Sequence, residues 1–242
     1  MKLNLNLKLF PLWISLFTLV LFFAATGCID GNEKVITNET LGTFNKINIS
    51  GNADIDLIPS GMPAIRFEIE QKYIGYIQYE IINDTLEIKI DEKMPPGKDV
   101  ELTIGYQNLD ELNLAGKNKI ETNDPIQSEN LTITAAGVND IDVDVFVTNF
   151  TFNVSGTTQA DISGTAKSAN IKANGTSDVD LENLTTADMV IGLNGISNAE
   201  IYVTNSLNAV LTGTCKLTYA GNPTTVTDNV ATTSILINKN DR

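Results

Sequence analysis

Carboxylates are the only abundant side chains in this sequence that could do chemistry. Its 242 residues hold 30 Asp and Glu against 16 Lys and Arg, a formal charge of −14, and no His. Without His, the commonest general base and the commonest metal ligand are absent, and a Ser-His-Asp triad cannot form. Asp140, Asp161, Asp178 and Glu200 recur at nearly even intervals, each followed by an aliphatic residue, with Asp142 and Asp180 two residues further on. Lys119 and Lys216 take the same place at the two ends. On stacked strands, Asp140, Asp161, Asp178 and Glu200 would form one column. Such a column could offer oxygen ligands to Ca²⁺, or an acid and a base to a polysaccharide. Against both, the Gly-Gly-x-Gly-x-Asp calcium repeat is missing, and evenly sized units leave no long loops to wall a cleft. The expectation is a solvated acidic face, with no metal ligand, no cofactor and no catalytic residue.

Other chemistry is sparse. Cys28 and Cys215 are the only cysteines, so a disulfide framework is excluded and Cys215 is expected as a small buried filler. No Gly-x-Ser-x-Gly elbow, phosphate-cradling loop or dinucleotide fingerprint occurs. Tyr73, Tyr76 and Tyr79 cluster with Ile74 and Ile77, and are expected to pack against neighbouring strands rather than to form a sugar platform. The acidic balance argues against nucleic acid as a partner.

The elements that must hold these residues begin after an address. Residues 1–27 have a basic start (Lys2, Lys8) and an apolar stretch from Leu9 to Ala25, the pattern of an export signal. It ends in Ala25-Thr26-Gly27-Cys28, which resembles the lipobox of prokaryotic lipoproteins. That resemblance implies lipidation of Cys28 and a membrane partner through the lipid. The rival reading is an uncleaved apolar helix, since the stretch approaches the ~20 residues that span a bilayer. Residues 28–40 are expected as a flexible tether.

From 41 to 110 apolar and polar residues alternate, as in Ile65-Arg66-Phe67-Glu68-Ile69, Leu86-Glu87-Ile88-Lys89-Ile90 and Val100-Glu101-Leu102-Thr103-Ile104. Turn residues separate the runs, notably Asn83-Asp84 and Pro95-Pro96-Gly97. The pattern predicts β-hairpins with one buried and one wet face. The 27 Asn and 27 Thr agree with strands and turns rather than helices.

From 111 to 242 a repeat takes over. Gly116, Gly137, Gly156, Gly175, Gly195 and Gly213 are spaced by 21, 19, 19, 20 and 18 residues. A short strand precedes each glycine, and an aliphatic residue follows four or six positions later: Ile120, Ile141, Ile162, Val179, Ile201 and Leu217. Ile49-Ser50-Gly51 with Asp54-Ile55 is an earlier copy. A period near 20 is too short for a propeller blade of ~40 residues. It predicts stacked coils of a β-solenoid, continuous with the hairpin region, with glycine at each corner.

These repeats, closing on Leu217-Thr218-Tyr219-Ala220-Gly221-Asn222-Pro223, resemble the DUF2807 family of auto-transporter adhesin-like "head GIN" domain proteins over about 44–238. The resemblance implies an exported, often lipid-anchored protein whose body is a short right-handed parallel β-helix; it transfers no catalytic or binding residue. The functional expectation is a non-catalytic cell-envelope binding or adhesion module with an extracellular glycan or protein ligand. Its rivals are a structural envelope solenoid that self-associates and a polysaccharide-active β-helix protein.

Overall fold

Alternation of apolar and polar residues makes strands, and among the described residues strands are nearly all there is. The computed structural model describes residues 33–241 apart from 96 and 99. The strands are β1 (Lys34–Thr40), β2 (Lys46–Pro59), β3 (Ala64–Glu70), β4 (Ile77–Ile82), β5 (Thr85–Ile90), β6 (Val100–Tyr106), β7 (Glu111–Thr122), β8 (Ile126–Ala220), β9 (Thr225–Val230) and β10 (Ile235–Asn238). The described helical pieces are two 3-10 turns, Gln71–Tyr76 and Lys239–Asp241. One sheet runs β1-β3-β6-β2-β7-β8-β10, with β5 also on β2, β4 on β5 and β9 on β8.

The expected hairpins are present in part. β4 and β5 pair antiparallel around Asn83-Asp84, whose positive φ values of 48° and 60° suit a two-residue turn that matches the right-handed twist of its strands. β1–β3 and β3–β6 are antiparallel as well. Part of the expected tether is strand: Lys34–Thr40 pairs with the whole of β3. Val35 there packs against the core, because an alternating segment beside an open strand edge gains both hydrogen bonds and burial.

β2 departs from the hairpin expectation. It pairs in parallel with β5 and β6 along one edge and with β7 along the other. The cause is in its sequence, since Gly51 to Ile55 copies the later repeat and finds the copy in β7. Gly51 lies opposite Gly116, and Gly116 opposite Gly137. The intervening β3–β6 passes to the far edge of β2.

β8 contains 95 residues of extended backbone, which laid straight would reach roughly 310 Å. Its glycines instead return to one another. A Cβ placed on Gly156 would meet the backbone of Gly137, and likewise Gly175 that of Gly156, Gly195 that of Gly175 and Gly213 that of Gly195. The backbone therefore turns back on itself about every 20 residues. At this corner the approach is backbone to backbone at positive φ, +123° at Gly116 and +112° at Gly175, which only glycine meets without strain. Inward positions fall an even number of residues from each glycine and form one core: Leu114 and Ile120, Ala135 and Ile141, Val154 and Ile162 are all buried. Phe150 and Phe152 stack within it at 6.1 Å.

Candidate functional site

With even positions inward, odd positions face water, and those three and five residues past each glycine make two rows across the strands. The register aligns Asp54, Lys119 and Asp140 in the first row, and Asp56, Glu121 and Asp142 in the second. Carried along the stacked glycines, the first row continues through Gln159, Asp178, Asn198 and Lys216. The second continues through Asp161, Asp180 and Glu200.

This corrects the column expected from the sequence. Asp140 and Asp178 do share a row, but Asp161 and Glu200 stand in the next one, with Asp142 and Asp180. In two copies the buried residue four past the glycine is Ala160 or Ala199, so counting from the nearest large aliphatic slips by two. The result is one row of mixed polarity beside one row that is acidic on six strands.

Electrostatics agree with this register. Burial, then the charges of Asp180, Asp142 and Asp144, push the Asp161 carboxyl above its ordinary value. Cations gather toward the ends of the rows. Lys119 pairs with Glu121, and Lys239 lies 2.5 Å from Glu182 and 4.0 Å from Glu200. Beyond Asp54 the first row reaches Glu101 and Glu68. Lys34 bonds both, at 3.4 and 3.0 Å, and its hydrogen bond holds Glu68 below the usual carboxylate range. In the first row Asn198 donates to Asp178 at 2.9 Å. Among the described residues no group of three or more His, Cys, Asp or Glu converges as metal ligands would. The acids form a line, and a line does not make the closed oxygen shell Ca²⁺ takes.

Around the corner, Asn48 donates to Glu87 at 2.7 Å, and the Asn113 amide donates to Asn48 and Glu111, both at 2.8 Å. This network borders a shallow depression of about 320 Å³ floored by Ser50, Ala115 and Ala136. A second depression, about 300 Å³, lies near Asn38, Arg66 and Thr103. Each is an open surface feature.

The tyrosines pack as expected. Tyr73 and Tyr79 lie against the core, Phe67 meets Tyr79 edge-on at 6.0 Å, and Lys72 sits 5.0 Å from the Tyr73 ring. Burial raises the Tyr79 phenol, helped by a hydrogen bond to Glu39. Cys215 is buried, its sulfur 3.4 Å from the Thr212 carbonyl oxygen. Cys28, the lipidation candidate, lies outside the described residues. One set went unnoticed in the sequence: Asn118, Asn139, Thr158, Ser177 and Ser197, each two past a glycine and buried. Their even offset was the available signal.

The family described as "Putative auto-transporter adhesin, head GIN domain", DUF2807, matches residues 43–223. The chain belongs to that family. Its fold is shared with solved structures of other bacterial proteins. A "putative adhesin" from Bacteroides fragilis superposes with a TM-score of 0.82 at 20% identity, over 85% of this chain and 97% of that one. A "putative adhesin" from Parabacteroides distasonis gives 0.67 at 15%, over 86% and 98%. A "putative lipid binding protein" from the same species gives 0.64 at 17%, over 87% and 99%. At these identities the likeness is one of fold. No curated protein matches the sequence. Among the described residues no helix is long and apolar enough to cross a membrane.

Proposed function

We propose that this DUF2807 protein is a non-catalytic binding module of the cell surface, of adhesin type, exported and held to a membrane by lipid on Cys28. Its body is a short right-handed parallel β-solenoid: parallel pairing of β2, β7 and β8 and the stacked glycine corners support that geometry. The observation that carries the functional reading is the row Asp56, Glu121, Asp142, Asp161, Asp180 and Glu200. It repeats one chemical group at strand spacing, about 4.8 Å, on an open face. An open, repeating surface suits a multivalent ligand, whereas catalysis favours convergent groups in a concave site. The family description points the same way.

Two experiments test it. Cys28→Ser should release the protein from the membrane fraction or block its processing; unchanged retention with residues 1–27 still attached would mean an uncleaved helix. On a glycan array and a panel of immobilised extracellular proteins, the wild type should bind saturably. Asp142→Asn, Asp161→Asn and Asp180→Asn combined should weaken that binding. Turnover of a glycan that disappears in this triple variant would replace the adhesin reading with an enzyme.

One observation favours a second reading, self-association. Among the described residues β10 pairs only with β8, and Ile235 at its start is 58% exposed, so among them this end of the sheet leaves a strand edge open. Sedimentation that shifts with protein concentration would support it.

A further inference from the structure

Inside the stack, two residues past each glycine, polar side chains occupy five consecutive turns of the chain. Asn118, Asn139, Thr158, Ser177 and Ser197 are each at most 4% exposed. The Asn118 side-chain amide donates to Asn139 Oδ1 at 3.3 Å. Beyond that bond, Asn139 Nδ2, Thr158 Oγ1, Ser177 Oγ and Ser197 Oγ are all buried and have no hydrogen-bond partner among the described residues. A single such group forfeits its hydration for nothing. Four in line, an amide that donates and three hydroxyls that donate and accept, point to something that bonds them.

The spacing says what fits. Neighbouring strands lie about 4.8 Å apart. Oxygens that far apart cannot bond directly, since an O–H···O bond is about 2.8 Å long. One water at about 2.8 Å from both closes the gap, with an angle of about 120° at its oxygen, near the tetrahedral angle between one hydrogen and one lone pair. Side-chain volume falls in the same turns. Beside the asparagines the next inward residues are Ile120 and Ile141, whereas beside the hydroxyls they are Ala160, Val179 and Ala199. The polar side chain and its aliphatic neighbour shrink together.

We propose that the protein binds a single file of water within its core. One molecule bridges Asn139 to Thr158, one Thr158 to Ser177, and one Ser177 to Ser197. Each water donates to one neighbour and accepts from another, so the file satisfies every orphaned group between Asn139 and Ser197. It also fixes register, because a slip of two residues would set Ala160 against Ser177 and strand both hydroxyl partners. The inference stands independently of any surface ligand.

Diffraction at a resolution that shows ordered solvent tests it directly. The expected result is three waters, each within about 3 Å of both flanking polar atoms. In Ser177→Ala the two waters touching residue 177 should vanish, the Asn139–Thr158 water should stay, and Tm should fall by about 2–4 °C. Should that variant fail to fold, Thr158→Val keeps the side-chain shape and should lose the waters on either side of residue 158. Dry density along the file, or waters that persist when the hydroxyl is removed, would overturn the proposal. So would a raised or unchanged Tm in Ser177→Ala, the behaviour of a hydroxyl with no partner to lose.

Discussion

Gly175→Ala adds one methyl group at a place where two turns of backbone touch. Gly175 has φ +112°, and a Cβ there would lie 3.0 Å from the Gly156 nitrogen and closer still to the Gly156 oxygen. The obstacle is main chain held in a ladder, so no side chain can swing aside. Holding a residue with a Cβ in that backbone region costs about 1–3 kcal/mol. Prying two packed strands apart costs about 1–3 kcal/mol more. The sum, about 2–6 kcal/mol, is a large share of the ~5–15 kcal/mol that holds a typical domain together. At about 2–4 °C per kcal/mol for a chain of this size, Tm should drop by on the order of 10 °C. Gly192 is the internal control: it lies in the same strand, without positive φ and with no atom within 4 Å of a Cβ. Gly192→Ala should leave Tm unchanged or raise it slightly, through a less flexible unfolded chain. Thermal and urea melts followed by circular dichroism compare the two. Equal Tm values for Gly175→Ala and Gly192→Ala would refute the corner and the stacking derived from it.

The acidic row makes a prediction with a sign. Asp161 has its carboxyl raised by burial and by Asp180, Asp142 and Asp144, so the folded chain holds that proton more tightly than the unfolded one. Its charge therefore costs stability above the folded pKa, and the cost is relieved as pH falls through it. Asp161→Asn should raise Tm at pH 7, by an amount that shrinks with added NaCl and with acidification toward the carboxylate range; a lower Tm at low salt would contradict the row. At matched ionic strength CaCl₂ should add little to NaCl, and a rise of several degrees at micromolar Ca²⁺, lost in Asp161→Asn, would instead establish a calcium site. Cys215 is 3% exposed, so a thiol-reactive disulfide reagent should label it only in denaturant; rapid labelling of the native protein, followed by absorbance, would show that the last turns open.

The sequence by itself determined the all-β class, the period near 20 and the residues on which it turns. Glycine can do this because its two properties, positive φ without strain and no Cβ, are both demanded at a corner where backbones meet, so few substitutes exist and the repeat stays visible. Period-2 alternation likewise separated inward from outward residues, since a strand has only two faces. Register and connectivity belong to the tertiary structure. Offsets of three and five past the glycine both face outward, so alternation cannot tell them apart. Ala160 and Ala199, too small to stand out as core, hid which offset Asp161 and Glu200 occupy. Nor could local pattern reveal that β2 lies between β5–β6 and β7, or that Lys34–Thr40 completes the sheet along β3. Those placements depend on which strand edges remain free once every other segment has paired, a property of the whole chain.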